Sequence, residues 1–184
     1  RAARARGGAG GCGSAGVGAR LAAARADVGP LGVGIAPHPG LLADWGLPDD
    51  ASGLREFGLR VVEAVGGRVA AVKPQSAFFE RHGSRGVAAL EEVLAAARAA
   101  GTLTIMDAKR GDIGSTMAAY ADAYLRDGSP LAADALTVSP SLGFGSLQPA
   151  VDAGRETGGG LCVRCLPASA AGGEVERGRR GAGA

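Results

Sequence analysis

The run Asp107-Ala108-Lys109-Arg110-Gly111-Asp112 places two carboxylates and an ammonium within six residues, directly after the apolar stretch Leu103-Thr104-Ile105-Met106. Lys109 is one of only two lysines in the chain, the other being Lys73, against eighteen arginines. Arginine therefore supplies the surface charge, and lysine is kept for two places where an apolar run ends. Lysine offers what arginine does not, a compact ammonium whose pKa can be moved far enough to release a proton. Side chains two apart on a strand project to the same face, so Asp107 and Lys109 would stand together, in line with Leu103 and Ile105. Asp112 follows Gly111, off the strand, and can turn elsewhere. Lys73 ends the run Val69-Ala70-Ala71-Val72 and would stand at the mouth of a neighbouring strand. Opposite charges about 4 Å apart attract by a gross Coulomb energy on the order of 4 kcal/mol at a surface-like dielectric. An alternating Lys/Asp/Lys/Asp cluster there would hold its charges mutually; it would serve proton delivery, or it would be a set of ion pairs on solvated strand ends. Spacing alone does not choose.

The elements that would position these groups alternate regularly. Residues 31–37, 69–73, 102–109, 135–139 and 160–165 read as strands. Helical patterns lie between them at residues 53–65, with Phe57, Val61 and Val65 on one stripe, and at 86–100, with Leu90, Val93, Leu94 and Ala97. Two more follow, at 116–126 and 146–156. Strand–helix alternation with short connections predicts βαβ units and a parallel sheet. An open doubly wound sheet and a (β/α)8 barrel both fit that pattern. No Gly-x-Gly-x-x-Gly follows the first strand, since Gly32 and Gly34 lie within it and Pro37-His38-Pro39 comes next, which weakens a dinucleotide-binding reading. The polar candidates fall at C-terminal strand ends, where barrel enzymes build their active sites. Five βα units are present where a barrel needs eight, so the chain reads as the first five-eighths of a barrel.

At 184 residues, 46% hydrophobic and 21% charged, the chain predicts one soluble globular domain. No apolar run approaches the roughly 18–20 residues of a membrane span. A net charge of +2 is too small to argue for nucleic acid, and no nucleic-acid partner is expected. Three cysteines form no disulfide framework, which predicts a reducing, cytoplasmic setting. Residues 1–18 and 172–184 are Arg/Ala/Gly-rich without periodicity and are expected to be disordered, leaving a partial barrel domain over residues 19–171.

The motif Asp107-Ala108-Lys109-Arg110-Gly111-Asp112-Ile113-Gly114-Ser115-Thr116 resembles the signature of orotidine 5'-phosphate decarboxylase in its bacterial type 2 form. Support comes in order along the chain from Gly29-Pro30-Leu31-Gly32-Val33-Gly34-Ile35, Val72-Lys73-Pro74-Gln75 with Phe78-Phe79-Glu80, and Leu142-Gly143-Phe144-Gly145-Ser146-Leu147. The resemblance covers about residues 19–165 and implies a (β/α)8 TIM barrel that dimerises with active sites at the interface. It implies conversion of the small-molecule nucleotide orotidine 5'-phosphate to UMP, in pyrimidine biosynthesis, with no cofactor or metal. By the same resemblance Lys109 would donate the proton to C6, Asp107 would sit against the substrate carboxylate, and Lys73 would complete the network near the ribose. Asp112, with Ile113 and Thr116, would reach into the partner subunit's site.

The sequence departs from that pattern in places. Ala36 stands where the family has an aspartate that contacts the ribose and pairs with Lys73. Ser139-Pro140-Ser141 replaces Asn-Pro-Tyr, and Pro167-Ala168-Ser169-Ala170 replaces a base-contacting Thr-Ser-Asn-Pro. The last three βα units, with their Gln/Arg phosphate grip, are absent from the 184 residues. The expectation is therefore a C-terminally incomplete member, not by itself a competent decarboxylase. Alternatives are a non-catalytic remnant, or a sister sugar-phosphate lyase using the same Asp-x-Lys-x-x-Asp frame.

Other motifs carry less. Cys162-Val163-Arg164-Cys165 falls in a predicted strand, where positions three apart face opposite sides, unlike a redox Cys-x-x-Cys at a helix start. His38, between two prolines, and His82 are expected in loops. Gly143-Phe144-Gly145 reads as a turn shaping the rim, and Leu41, Leu42 and Trp45 as cover for the barrel wall.

Overall fold

Five parallel strands lie side by side in chain order: β1 (Gly32–Ile35), β2 (Ala71–Pro74), β3 (Leu103–Arg110), β4 (Ala135–Val138) and β5 (Gly160–Val163). The structure is a computed structural model and describes residues 15–165. An order of 1-2-3-4-5 decides between the two expected architectures. A doubly wound sheet reverses direction at a switch point, whereas sequential order is that of a barrel wall. Among the described residues β1 and β5 each pair on one side only.

The outer face of the wall is covered by α3 (Ala51–Val65), α5 (Gly83–Ala99), α6 (Gly114–Leu125) and α7 (Gln148–Thr157). These are the four helices expected from periodicity, with α7 preceded by a 3-10 turn, Phe144–Leu147. Asp50 starts α3 by accepting from the backbone N–H groups of Ser52, at 2.8 Å, and Gly53, at 3.0 Å. Phe57 and Val61 of the predicted stripe are buried, and so are Leu90, Val93, Leu94 and Ala97 of α5. Gly58 lets the two helices approach, because a Cβ there would collide with Val93.

Along each strand the faces alternate. Ile35, Val72, Met106, Leu136 and Val138 point toward the helices and are buried with Leu90 and Leu94 in one core. Lys73, Leu103, Ile105, Asp107 and Thr137 belong to the opposite, concave face.

Three helices were not expected: α1 (Val17–Val28), α2 (Pro39–Asp44) and α4 (Ser76–Glu80). Helix α1 begins at Val17, so the boundary expected after residue 18 falls inside it. It lies across the N-terminal ends of the strands, with Val17 and Leu21 over Leu103, Ile105 and Leu161. Arg20 pins it there, pairing with Asp134 just before β4 and donating to the Gly158 carbonyl at 3.0 Å. Asp134 is buried and also accepts from the Thr104 N–H at 2.9 Å and its hydroxyl at 3.0 Å. Helix α2 buries Leu42, and Trp45 at its end packs against Phe57 with the rings tilted by 50° and their centroids 4.6 Å apart, as cover for the wall. Residues 1–14 and 166–184, including the Pro167-Ala168-Ser169-Ala170 segment, lie outside the described residues.

Candidate active site

Strands β2 and β3 end side by side and bring Lys73 and Asp107 together. The Lys73 Nζ donates to Asp107 Oδ2 at 2.9 Å, and the Lys109 Nζ donates to Asp107 Oδ1 at 2.6 Å. One carboxylate is thus gripped by two ammonium groups. Its side chain is only 7% exposed, against 47% for Lys73 and 37% for Lys109. A third donor comes from β4, where the Thr137 hydroxyl reaches Asp107 Oδ1 at 3.0 Å. Desolvation by itself would push the Asp107 carboxyl up. The bonds from Lys109, then Lys73 and Thr137, outweigh it and hold the group at about 2, below its ordinary 3.8.

Lys109 meets Asp107 in a way that simple strand alternation did not anticipate. It has φ +50°, making it the one non-glycine residue with positive φ among the described residues. The pairing of β3 with β4 shifts register between Met106 and Arg110, as at a β-bulge. The left-handed conformation costs a non-glycine residue about 1–2 kcal/mol. The surroundings over-determine it: the Lys109 N–H donates to Thr137 Oγ1 at 2.9 Å, and the Ser139 N–H donates to the Arg110 carbonyl at 2.8 Å. Gly111 sits so close to β4 that a Cβ would lie 2.5 Å from the Ser139 carbonyl oxygen.

Arg110 turns to the other side of the wall. It pairs with Glu80 of α4, donates to the Tyr124 hydroxyl at 3.2 Å, and lies 5.3 and 5.7 Å from the ring centroids of Tyr120 and Tyr124. Thr137 and Arg110 are the neighbours of this cluster that sequence reasoning missed. Arg110 was in view inside the motif, while Thr137 gave no signal beyond its place in a predicted strand.

The remaining predicted residues stand apart. Asp112 accepts from the Ile113 N–H at 2.8 Å and bonds to neither lysine among the described residues. Ile113 is 62% exposed at the start of α6, and Thr116 is exposed beside it. Ala36 is half-buried just beyond β1, so Asp107 is the carboxylate that Lys73 meets. Ser139 and Ser141 hydrogen-bond to each other through their hydroxyls at 2.9 Å, on the rim. Cys162 pairs in register with Thr137, while Cys165 lies beyond the end of β5, and both are free thiols. Desolvation and then the Asp107 carboxylate push the Cys162 thiol pKa up, with Lys73 opposing them.

His38 caps α2, its Nδ1 accepting from the Leu41 N–H at 3.2 Å, as suits a loop residue before a proline-led helix. His82 does lie in the turn between α4 and α5, as expected, but it is not solvated there: its side chain is 18% exposed and its Nε2 is 3.4 Å from Asp49 Oδ1. Among the described residues no group of three or more His, Cys, Asp or Glu side chains is placed to hold a metal ion.

A sequentially ordered parallel wall with a Lys–Asp–Lys cluster at the C-terminal ends of its strands defines part of a (β/α)8-barrel protein, with its polar groups where such enzymes carry out catalysis. The chain belongs to the orotidine 5'-phosphate decarboxylase / HUMPS family, whose model matches residues 52–175. It is 62% identical over 166 residues to an orotidine 5'-phosphate decarboxylase of Streptomyces coelicolor, covering 90% of this chain and 60% of the relative. A Nocardioides protein of the same name is 62% identical over 162 residues, covering 88% and 59%. A solved Streptomyces avermitilis chain assigned to the same decarboxylase superposes with a TM-score of 0.90 at 62% identity, over 94% of this chain and 60% of that one. The OMP decarboxylase of Leishmania donovani gives a TM-score of 0.74 at 34% identity, over 91% and 60%. The chain therefore spans about 60% of the length of these relatives.

Proposed function

We propose that this chain carries the proton-delivery part of a decarboxylase site that acts on orotidine 5'-phosphate and forms UMP, a step of pyrimidine biosynthesis. The observation that carries the reading is the Lys73–Asp107–Lys109 contact, with the Lys109 ammonium 2.6 Å from a carboxylate held ionised. In this reading the substrate carboxylate lies against Asp107, and like-charge repulsion favours breaking its bond to C6. The bonding pair stays on C6 as carbon dioxide departs. Lys109 stabilises that developing negative charge and then donates its proton to C6, to be reprotonated from solvent. A preplaced ammonium supplies the positive charge, so the reading calls for neither metal nor cofactor. Lys73 would complete the network near the ribose.

Asp112, Ile113 and Thr116 would serve the site of a second subunit in a homodimer. Ile113 and Thr116 are exposed, and Asp112, half-buried, bonds to neither lysine among the described residues, as suits that role. A cytoplasmic location goes with the reading.

Calorimetric titration of the purified chain with UMP and with a 6-substituted UMP analogue tests the proposal. Saturable binding that is lost in Lys109→Ala is expected, and no heat at millimolar ligand would refute it. Two observations favour a second reading for the chain on its own: it spans about 60% of its relatives' length, and it has Ala36 where an aspartate was expected. Binding without turnover is then the outcome, and decarboxylation near the rates of complete family members would overturn that second reading.

A further inference from the structure

We infer that Thr137 is a positioning residue that holds the Lys109 backbone and the Asp107 carboxylate in one arrangement. Its hydroxyl accepts from the Lys109 N–H at 2.9 Å and donates to Asp107 Oδ1 at 3.0 Å. A single oxygen thus links the main chain of one charged residue to the side chain of the other. The direction of both bonds is settled by chemistry. An ionised carboxylate only accepts and a backbone N–H only donates, so the hydroxyl must accept from one and donate to the other.

Two features make this link more than incidental. First, Lys109 is strained, with φ +50°, and it lies where β3 loses register with β4. Strain at a charged residue persists only where neighbours over-determine it, and Thr137 supplies the bond to the N–H of the strained residue itself. Second, Asp107 Oδ1 is the same oxygen that receives the Lys109 ammonium. Thr137, Lys109 and Asp107 therefore close a ring: main chain to hydroxyl, hydroxyl to carboxylate, carboxylate to ammonium. Removing the hydroxyl would leave both the bulge and the carboxylate rotamer without that tie.

The groups facing the Asp107 carboxylate are Lys73 from β2, Lys109 from β3 and Thr137 from β4, with the Cys162 thiol on β5 in register with Thr137. The Ser76 hydroxyl of α4 approaches the Asp107 carbonyl instead, at 3.4 Å. Each lysine is a flexible side chain with more than a third of its surface in water. Thr137 is the buried donor fixed to a neighbouring strand. It is the short, rigid member of the set and sets where the carboxylate stands.

The bearing of this link on proton delivery by Lys109 rests on the decarboxylase reading, but the test does not. In the full chain, the Asp107 carboxyl is titrated by carbon-13 NMR and the Lys109 amide is followed by hydrogen exchange, in wild type, Thr137→Val and Thr137→Ser. Valine keeps the shape and removes both bonds. It is expected to raise the Asp107 midpoint by about one pH unit, a tenfold gain in proton affinity. Exchange of the Lys109 amide should quicken about tenfold. Serine restores the hydroxyl and should return both to wild-type values. Thr137→Ala replaces valine in the same measurements if the valine variant does not fold. An unmoved midpoint with an unmoved amide, or a serine variant that behaves like valine, would overturn the assignment. Failure of the wild-type chain to bind UMP would defeat the decarboxylase reading, whereas the role of Thr137 stands or falls on the NMR titration and amide exchange alone.

Discussion

Substituting Asp107→Asn removes the charge at the centre of the cluster while keeping its shape, and the structure sets the size of the effect. The carboxyl is held at about 2 in the fold against an ordinary 3.8. At about 1.4 kcal/mol per unit, ionised Asp107 contributes about 2 kcal/mol at neutral pH. This is an upper figure, because both lysines reach solvent and solvent screens them. The sign follows from a depressed folded-state pKa. The contribution is complete above the unfolded value of 3.8 and disappears as pH falls through the folded value of about 2. Urea unfolding followed by far-UV circular dichroism should show the variant less stable by up to about 2 kcal/mol at pH 7, a midpoint shift on the order of 1 M. The two proteins should converge between pH 4 and pH 2, because protonation removes from wild type what the substitution removes outright. A stability gap that stays constant from pH 7 to 2.5, or that is missing at pH 7, would refute the account of Asp107 as a carboxylate stabilised by its donors.

Three further outcomes are expected. Lys109→Gly should be more stable than Lys109→Ala by about 1 kcal/mol in the same urea assay, because both lose the ammonium and only glycine accepts φ +50° without strain; equal stabilities would remove the strain argument. Gly111→Ala should cost about 1–3 kcal/mol, since its Cβ would meet the Ser139 carbonyl oxygen at 2.5 Å and the obstacle is backbone; a wild-type unfolding midpoint would show that β3 and β4 separate there easily. Arg20→Ala should cost about 1–2 kcal/mol by breaking its bonds to Asp134 and Gly158, and should quicken amide exchange in α1 ahead of the strands; uniform exchange across the molecule would mean that α1 and the wall unfold as one unit.

The main frame of this molecule was readable because two periods alternate cleanly in its sequence. Leu90, Val93, Leu94 and Ala97 recur at helical spacing, and the stretch ending at Lys109 is bounded and apolar like a buried strand. Helix α1 escaped notice for a physical reason: it is Ala- and Arg-rich and buries no residue completely, so it carries no strong apolar stripe. It is held instead by Arg20, whose partner lies 114 residues away. Helices α2 and α4 are one or two turns long, too short for periodicity to register. At the site, residue types and spacing pointed to Lys73, Asp107 and Lys109 and to their mutual contact. Left-handed Lys109 and the hydroxyl of Thr137 were not legible, because a bulge is set by the pairing of two strands and a threonine in a strand is unremarkable. Asp112, the expected fourth member of an alternating cluster, bonds to neither lysine among the described residues, because after Gly111 the chain has left the strand and its carboxylate caps the Ile113 N–H.

The sequential strand order has a kinetic consequence. Lys73, Asp107 and Thr137 sit on three consecutive strands, with contacts spanning 34 and 30 residues. Closing loops of that size costs on the order of 3 kcal/mol each beyond a constant, and each doubling of the span would add only about 0.6 kcal/mol. Each strand pairs with the one before it in the chain, so the ammonium–carboxylate–ammonium contact needs only β2 and β3, and the Thr137 hydroxyl joins it from β4. Contacts between neighbouring strands at such modest sequence separation favour fast folding over contacts that join distant parts of a chain.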